Sequence, residues 1–365
     1  MWYEALIDGG YLPDVLIRQG IRRLLATRIQ GLYQGDDEAR FRYKLNFING
    51  LKRMPIAVDT DKANDQHYEV SPEFMKLMMG DHVKYSCGLY VDDTTSLSEA
   101  EESMMEVYCQ RAKLADGQRI LDLGCGWGSL ALYMAKKYPN AKITGFSNSY
   151  SQADYICRQV SERGLTNVQV TTGNIVDFEW DKPREFDRIV TIEMIEHMKN
   201  YAQLFAKVSR WLTPDGYMFA ETLSHREVPY HFDVGEEDSW LARYFFTGGC
   251  MPSRDLYLYF QDHLQLVDQW YLNGTHFNKT GEAWLINLDR HSEEALVALT
   301  RIYASKELAA LDFTSARTIA YKWLQRWRVY LMAVSEMYAF GNYQEWGITH
   351  HLFQNRRRPV LPLQA

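Results

Sequence analysis

From about residue 100 onward, the chain alternates between short apolar runs and longer amphipathic stretches. The short runs have the length of buried strands, whereas the stretches between them repeat apolar residues at helical spacing. This alternation is typical of right-handed βαβ units that build a mostly parallel sheet. The pattern predicts five strands, at 119–123, 141–146, 167–172, 186–192 and 216–222.

The pattern continues beyond the fifth strand, which Asp215-Gly216 enters through a predicted tight turn. Two insertions and two more strands follow: an aromatic, acidic insertion at about 226–262, a strand at 263–272, a helical stretch at about 282–340 and a last strand at 350–354. We therefore predict an α/β, Rossmann-like fold with a seven-stranded, mostly parallel sheet. Residues 101–365 would form its core, and the insertions would form a substrate lid.

The first hundred residues precede this core and are mostly helical in pattern. Between residues 17 and 32, apolar positions recur at helical spacing with arginines interleaved. One interpretation is a helix packed on the core with a solvated basic face, and the other is a helix that lies on a membrane surface. We predict an N-terminal extension or lid at 1–100. A homodimer formed through these helices is an open alternative.

Composition and charge exclude several classes of function. The net charge of −7 argues against broad binding to nucleic acids or anionic membranes, because both require a cationic surface. No run of about 18 apolar residues occurs, so no membrane span is predicted. The five cysteines form no C-x-x-C pair, so neither a zinc site nor a disulfide framework is expected. Residues 1–30 carry acids and no secretory apolar run, which makes a soluble cytoplasmic protein the default prediction.

The most informative motif is a glycine-rich turn after the first strand. The apolar run from Ile120 to Leu123 enters Gly124-Cys-Gly-Trp-Gly128, and a helix-favouring run follows. Gly124 and Gly126 leave room for a ligand against the backbone, and the next helix start offers unpaired N–H groups. Ligands of open α/β sheets bind beyond the carboxyl ends of the strands. Side chains suited to ribose, amino-acid and adenine groups follow the second and third strands: Ser147, Asn148, Gln152, Asn174 and Ile175.

The end of the second strand helps to identify the ligand. Dinucleotide-binding folds place an acidic residue there for the ribose hydroxyls, but this chain reads Gly145-Phe-Ser-Asn-Ser149. The strand ends together therefore favour S-adenosylmethionine over NAD.

A cluster of carboxylates and an imidazole, Glu193-Met-Ile-Glu-His197, follows the fourth strand. A sulfonium methyl donor needs little help in leaving, so the enzyme must hold the nucleophile in line and remove a proton from an ammonium substrate. Glu193 or Glu196 can attract a cationic amine, and His197 can accept its proton near neutral pH. The alternative is an acid pair at a helix start with a core histidine.

Two further groups have open interpretations. The segments His67-Tyr-Glu69 and Tyr85-Ser-Cys87 either form a lid over cofactor and substrate or belong to a capped, packed entry helix, since Ser71-Pro-Glu73 looks like a helix start. Aromatic residues of the insertions either line a pocket for a cationic or aromatic ligand or belong to the core. They are Trp240, Tyr244, Phe245, Phe246, Trp323, Trp327 and Tyr330.

These motifs resemble those of the cyclopropane-fatty-acid synthase-like methyltransferases and, within that group, the alkaloid N-methyltransferases of the coclaurine N-methyltransferase type. The resemblance covers roughly residues 65–355. It is carried by His67-Tyr-Glu-Val70, Lys84-Tyr-Ser-Cys-Gly88, Leu121-Asp-Leu-Gly-Cys-Gly-Trp-Gly128, Ser147-Asn-Ser149, Glu193-Met-Ile-Glu-His-Met-Lys-Asn-Tyr201, Tyr244-Phe-Phe246 and Tyr259-Phe-Gln-Asp262.

The resemblance implies SN2 transfer of a methyl group from S-adenosylmethionine to a small aromatic amine of the benzylisoquinoline or phenylalkylamine type, with S-adenosylhomocysteine as product. It implies cofactor contacts at Tyr85, Ser86, Gly124, Gly126, Ser147, Asn148, Gln152, Asn174 and Ile175. It places Glu69, Glu193, Glu196 and His197 at the amine, with His197 as the proton acceptor. The predicted substrate wall is Tyr244, Phe245, Phe277, Trp327 and Tyr330.

The alternatives are a cyclopropane-fatty-acyl-phospholipid synthase or lipid C-methyltransferase, and a regulatory or scaffold protein that binds the cofactor without turnover. Cyclopropane synthases of this family are understood to use bound bicarbonate as the base, with a His of the fifth strand and a Tyr after the sixth among its ligands. Those positions read Glu221 and Phe277 here. A carboxylate would repel bicarbonate and Phe donates no hydrogen bond, so the chain favours amine methylation.

Overall fold

A computed structural model describes residues 3–58, 70–181, 183–232, 240–306 and 313–356 of the chain. Its strands are β1 (Arg119–Leu123), β2 (Lys142–Ser147), β3 (Val168–Thr172), β4 (Phe186–Ile192), β5 (Leu212–His225), β6 (Tyr230–His231), β7 (Cys250–Met251), β8 (Leu264–Asn273) and β9 (Trp346–Asn355). Seven of them form one sheet in the order β3-β2-β1-β4-β5-β9-β8, and β6 pairs with β7 in a separate ribbon.

The sheet is mostly parallel, as the sequence predicts for an α/β fold. Strands β1 to β5 are parallel, whereas β9 is antiparallel to both of its neighbours, β5 and β8. From β1 the chain moves outward through β2 and β3 and then returns to the other side of β1 with β4. The connections after β1 and β4 therefore leave in opposite directions, which opens a crevice at the carboxyl ends of these two strands.

The helices pack on both faces of the sheet. They are α1 (Glu4–Asp8), α2 (Asp14–Leu32), α3 (Asp37–Leu51), α4 (Pro72–Met78), α5 (Leu97–Arg111), α6 (Ser129–Lys137), α7 (Tyr150–Glu162), α8 (Tyr201–Trp211), α9 (Trp240–Tyr244), α10 (Thr275–Arg290), α11 (Ser292–Lys306) and α12 (Phe313–Tyr343). Helix α12 loses helical geometry from Phe340 to Asn342. Single 3-10 turns span Ile195–His197 and Leu256–Tyr259.

Two hydrophobic clusters lie on opposite sides of the sheet. Because side chains alternate along a strand, Ile120 and Phe219 belong to one cluster, and the adjacent residues Leu121 and Ala220 belong to the other. Burial of each large aliphatic or aromatic side chain contributes about 1.5–3 kcal/mol. A shift of one residue would exchange these faces, so the burial pattern fixes the register of the central strands.

Some element boundaries differ from the prediction. Strand β5 begins at Leu212, so Asp215-Gly216 lies inside the strand, where the pairing with β4 shifts register between Phe186 and Arg188. The helical stretch predicted at 282–340 begins earlier and is divided into α10, α11 and α12. Hydrophobic periodicity is continuous across these helices because all of them pack on apolar neighbours, and it therefore did not mark the breaks.

The N-terminal helix α2 packs on the rest of the chain through its arginines. Arg18 contacts Glu282 at 2.6 Å and Glu336 at 3.0 Å, and Arg22 contacts Glu336 at 2.5 Å. These ion pairs support the packed-helix interpretation of the basic positions. Over the described ranges, the helices are too short or too polar to cross a membrane. The division into 1–100 and 101–365 remains a prediction.

Helix α5 should depend on its capping box, in which Ser96 and Glu99 each bond the other's backbone N–H. Replacing Ser96 with Ala removes the acceptor for the Glu99 N–H and should lower the free energy of unfolding by about 1 kcal/mol. Urea unfolding followed by circular dichroism measures this loss. Ser161→Ala, at an exposed position near the end of α7, is the control and should change the value by less than about 0.5 kcal/mol. Equal losses in the two variants would contradict the capping role.

Candidate active site

The glycine turn after β1 lies in the crevice. Gly124 and Gly126 have φ angles of 84° and 52°, in the left-handed region that glycine adopts most readily. A Cβ on Gly124 would lie 2.5 Å from Met194 Cγ, so the turn after β4 can approach because Gly124 has no side chain. A Cβ on Gly126 would meet nothing within 4 Å, which leaves space for a ligand.

Two adjoining cavities occupy the crevice. The first has a volume of about 120 Å³ and the second a volume of about 70 Å³. The residues that line both are Gly124, Gly126, Gln152, Met194 and His197. A ligand that passes along this shared wall would contact the ends of several strands at once.

All of the predicted cofactor residues line these cavities. Tyr85 and Ser86 line the first, the shared residues Gly124, Gly126 and Gln152 line both, and Ser147, Asn148, Asn174 and Ile175 line the second.

Several buried polar atoms of the first cavity have no hydrogen-bond partner among the described residues. They are Gln152 Nε2, Trp127 Nε1 and Asp122 Oδ2. The other end of the Gln152 carboxamide is fixed, because its Oε1 accepts from Ser147 Oγ at 2.7 Å. Since a buried polar atom without a partner costs free energy, these atoms indicate a polar ligand. The residues present therefore fit the predicted cofactor.

Glu193 directly follows β4 and lines the first cavity. Its φ of 47° is left-handed, a conformation that costs a residue with a side chain about 1–2 kcal/mol. The Glu193 N–H donates to the Glu221 carbonyl at 2.9 Å, and Glu193 Oε1 accepts from the Cys87 N–H at 3.0 Å. Burial raises the pKa of Glu193 well above its ordinary value, and the negative charge of Glu221 raises it further.

His197 lines both cavities and stacks on Phe246, with ring centroids 4.7 Å apart. Its backbone N–H donates to the Met194 carbonyl at 3.1 Å and closes the 3-10 turn. Burial lowers the pKa of His197 to about 4, and the charge of Lys199 acts in the same direction. The imidazole is therefore uncharged at neutral pH.

Glu196, which the sequence places at the amine, lines neither of the two cavities. Its side chain is fully buried, and Oε1 accepts from the Leu223 N–H at 2.5 Å. Burial raises the pKa of Glu196 to about 8, so the carboxyl group is protonated at neutral pH. Successive side chains of a 3-10 turn point in different directions, which separates Glu196 from His197. Glu69, also predicted to be catalytic, lies outside the described residues.

Two predicted substrate residues, Phe277 and Tyr330, line the first cavity. The other three, Tyr244, Phe245 and Trp327, are not among the residues that line it. Phe245 stacks on Tyr330 with ring centroids 4.4 Å apart, and Trp327 packs against the same ring at 5.6 Å. Tyr244 is directed toward α1, where its hydroxyl donates to the Glu4 carboxylate at 3.2 Å. Phe245 and Trp327 therefore support the Tyr330 ring from behind.

Other lining residues were not assigned to the site from the sequence. Phe232 and Leu241 come from the aromatic insertion, and Val334, Met337 and Tyr338 come from α12. The α12 residues lie four, seven and eight positions after Tyr330, so the helical spacing would have found them once Tyr330 was assigned. Within the described ranges, no group of three or more His, Cys, Asp or Glu side chains is placed to hold a metal ion.

A buried polar network behind the first cavity also escaped sequence analysis. The Glu221 carboxylate of β5 accepts from the Tyr108 hydroxyl and from His350 Nε2, the latter at 2.6 Å. Arg111 donates to His350 Nδ1 at 2.7 Å, which fixes the tautomer with hydrogen on Nε2. Burial alone would raise the pKa of Glu221, but His350 and the charge of Lys84 together lower it.

Lys84 connects this network to the cavity wall. Its side chain is almost fully buried, and Nζ donates to Ser86 Oγ and to the Cys87 carbonyl, both at 2.6 Å. Nζ also lies 5.0 Å from the centre of the Tyr108 ring. A positive charge therefore lies on the same side of the cavity as Glu193 and Glu221.

Known proteins match the chain over most of its length. A family model described as mycolic acid cyclopropane synthetase matches residues 58–346. The (S)-coclaurine N-methyltransferase of Thalictrum flavum subsp. glaucum is 37% identical over 96% of this chain and 94% of that protein. The (S)-tetrahydroprotoberberine N-methyltransferase of Eschscholzia californica is 36% identical over 95% of this chain and 96% of that protein. The crystal structure of coclaurine N-methyltransferase bound to N-methylheliamine and S-adenosylhomocysteine has a TM-score of 0.89 at 36% identity, over 96% of this chain and 98% of that one.

His197 should remain uncharged until the pH falls to about 4, because burial opposes the imidazolium ion. NMR titration of ¹³C-labelled histidine measures this, with the His197 signal assigned through the His197→Asn variant. The unfolded chain, with a histidine pKa of about 6.5, binds more protons between the two values. The protein should therefore lose stability as the pH falls from about 6.5 to about 4, and H197N should lose less. A His197 midpoint near 6.5 in the folded protein would contradict this environment.

Proposed function

The chain belongs to the mycolic acid cyclopropane synthetase family, and on that premise we propose that the protein methylates the nitrogen of a small aromatic amine of the benzylisoquinoline or phenylalkylamine type. It is an S-adenosylmethionine-dependent methyltransferase. The observation that carries the proposal is the placement of two side chains at the cavities. Glu193, a half-buried carboxyl of raised pKa, lines the first cavity, and the uncharged His197 lines both.

S-Adenosylmethionine supplies an electrophilic methyl group when bound. Ser147, Asn148 and Gln152 would hold its polar groups at the end of β2, where the Gln152 carboxamide has an unused buried donor. The left-handed Gly124 and Gly126 let the backbone approach a ligand closely. These contacts support the assignment of both cavities to cofactor and substrate.

The protein's own task is to bind the amine and to take up its proton. An aliphatic amine is largely an ammonium ion at neutral pH, and it has a nucleophilic lone pair only after it loses that proton. The Glu193 carboxylate can attract the ammonium ion and accept the proton in one contact. Its raised pKa brings the carboxyl closer to the amine in proton affinity, which general-base catalysis requires.

His197 is the weaker proton acceptor of the two. Its pKa of about 4 makes the uncharged imidazole a poor base for an ammonium ion. Each unit of pKa mismatch costs about 1.4 kcal/mol, so transfer to His197 is less favourable than transfer to Glu193. We therefore assign proton acceptance to Glu193, in place of His197, and assign to His197, stacked on Phe246, the orientation of the amine.

The lining of the first cavity supports an aromatic substrate. Phe246, Phe277, Trp284 and Tyr330 line it. Aromatic faces attract a cationic amine and pack against flat rings. Within the same family, cyclopropane synthesis or lipid C-methylation is the alternative. The negative charge of Glu221 beside the cavity and the absence of a hydroxyl on Phe277 both oppose bicarbonate as a base.

Methyl transfer from labelled S-adenosylmethionine to two panels tests the function. One panel holds benzylisoquinolines and phenylalkylamines, and the other holds vesicles of unsaturated phospholipid, each with and without bicarbonate. We expect label on the amines, with a rate that bicarbonate does not change. Label in the lipid would establish the alternative. Cofactor binding with no label in either panel would show a regulatory or scaffold protein.

Glu193→Gln should lower kcat by about 100-fold or more, because the amide cannot accept the proton, while the dissociation constant for S-adenosylhomocysteine stays within a few-fold. His197→Ala should also lower kcat more than cofactor affinity. The matched control is Glu196→Gln, which preserves the shape and the acceptor of a carboxyl that is already protonated, and kcat should change little. Stopped-flow and calorimetry measure the two quantities. A larger loss in E196Q than in E193Q would return the catalytic role to Glu196.

The assembly and the compartment are also proposed. Tyr11, just before α2, and Val15 and Leu16, in its first turn, are exposed apolar side chains, which supports a homodimer formed through this helix. Sedimentation of the full chain measures its mass, and a monomer at all concentrations would exclude the dimer.

All five cysteines are free thiols, Cys157 being exposed, which supports the reducing environment of the cytoplasm.

A further inference from the structure

Two donors from opposite sides hold the Glu221 carboxylate. Tyr108 of α5 donates to Oε1, and His350 of β9 donates through Nε2–H to Oε2 at 2.6 Å. All three side chains are fully buried. Because Arg111 donates to His350 Nδ1, the imidazole presents only its Nε2–H to the carboxylate. Both carboxylate oxygens therefore act as acceptors, as an ionised group requires.

Glu221 and Glu193 lie side by side at the carboxyl end of the sheet. The register of β4 and β5 pairs Ile192 with Glu221, and the next residue, Glu193, donates its N–H to the Glu221 carbonyl at 2.9 Å. Charged and titratable groups reach Glu193 from each element packed around it. They are Lys84 and Cys87 from the loop before α5, Tyr108 from α5, Glu196 from the turn after β4, Glu221 from β5 and Tyr338 from α12.

The roles of the two acids differ because their partners differ. Glu193 borders the cavity and accepts a backbone N–H, whereas Glu221 is covered and accepts from two side-chain donors. A like charge nearby disfavours the ionised form of a carboxyl and strengthens its hold on a proton. The fixed negative charge of Glu221 therefore raises the proton affinity of Glu193, the acid that contacts the substrate.

We propose that Glu221 is a positioning residue for methyl transfer, whose fixed negative charge makes Glu193 basic enough to take the proton of the substrate ammonium. The inference rests on the proposed function and adds the group that tunes it. In this step the ammonium N–H bond breaks, its electron pair remains on nitrogen as the lone pair, and the proton bonds to a Glu193 oxygen. The carboxylate becomes a carboxylic acid, and Glu221 keeps its charge.

The test is the pH dependence of kcat/KM for Glu221→Gln, since this quantity reports the ionisation of the free enzyme. The acidic limb is the part of the profile in which kcat/KM rises with pH as Glu193 ionises. Without the Glu221 charge, this limb should move to lower pH by about one unit. The plateau value of kcat/KM should fall several-fold, because Glu193 is then a weaker base. Glu221→Asp retains the charge and should keep the limb near its wild-type position. Asp187→Asn is the matched control, since it neutralises an acid at the opposite end of β4 that accepts the Arg119 N–H at 2.9 Å. It should leave the limb in place.

Tyr108→Phe provides a second test if E221Q folds poorly. Loss of one donor weakens the hold on the Glu221 charge without removing the carboxyl, so the limb should shift in the same direction by a smaller amount. Thermal unfolding and S-adenosylhomocysteine binding confirm that each variant is folded.

The outcomes separate the two proposals. In Glu193→Gln the limb should disappear, and kcat/KM should follow only the deprotonation of the amine in solution. If E193Q loses the limb while E221Q and Y108F keep it unmoved, Glu193 is the acceptor but Glu221 does not tune it, and the inference is wrong. If E193Q retains the limb, the assignment of Glu193 as acceptor fails and the inference fails with it.

Discussion

The site depends on one constraint: three glutamate carboxyl groups lie together where water has little access to their charges. Glu196 and Glu221 are fully buried, and Glu193 is half-buried at the wall of the first cavity. A buried carboxylate costs several kcal/mol unless donors or a cation offset that cost. Glu221 has the Tyr108 hydroxyl and His350, and Lys84 lies on the same side of the cavity. Glu193 and Glu196 each accept a backbone N–H, at Cys87 and Leu223 respectively. The result is a fixed negative charge on Glu221 beside two carboxyl groups of raised pKa, Glu193 and Glu196. The cavity therefore has a base, Glu193, that can compete with an amine for a proton.

The sheet topology brings these groups together. Reversal of strand order between β1 and β4 opens the crevice, and the glycine turn after β1 lets Met194 and its neighbours approach. The left-handed φ of Glu193 turns the chain directly after β4, and its side chain then lines the first cavity. The antiparallel strand β9 brings His350 opposite Glu221 in the ladder. The strained backbone of Glu193 and the strand β9, which is distant in sequence, therefore both help to assemble the carboxyl cluster.

The sheet and its nucleotide-binding edge could be predicted from the sequence, since both depend on local patterns. Strand–helix alternation predicts the sheet, and the residues after β1, β2 and β3 predict the nucleotide-binding edge, where all of the assigned side chains line a cavity. The Glu-x-x-Glu-His spacing could not show that Glu196 is directed away from the cavity, because this depends on the 3-10 turn. Tyr108 and His350 are separated by more than two hundred residues and have no motif, so only the fold reveals their contact with Glu221. The aromatic stripe on α12 identified a wall but not which rings form its surface, because packing behind a ring and lining a cavity have the same helical period.

The most direct measurement of this account is the protonation state of the three carboxyl groups in the ligand-free enzyme. ¹³C NMR of carboxyl-labelled glutamate at pH 6 distinguishes acid from carboxylate, and an exposed glutamate with a pKa of about 4.3 is ionised there. Signals are assigned from the spectra of the three single Glu→Gln variants. We predict that Glu221 is ionised and Glu196 protonated at this pH, and that in a titration upward Glu193 ionises at a higher pH than Glu221, which gives the carboxylate that accepts the proton. A Glu193 that ionises at a lower pH than Glu221, or a Glu221 that is protonated at pH 6, would contradict this.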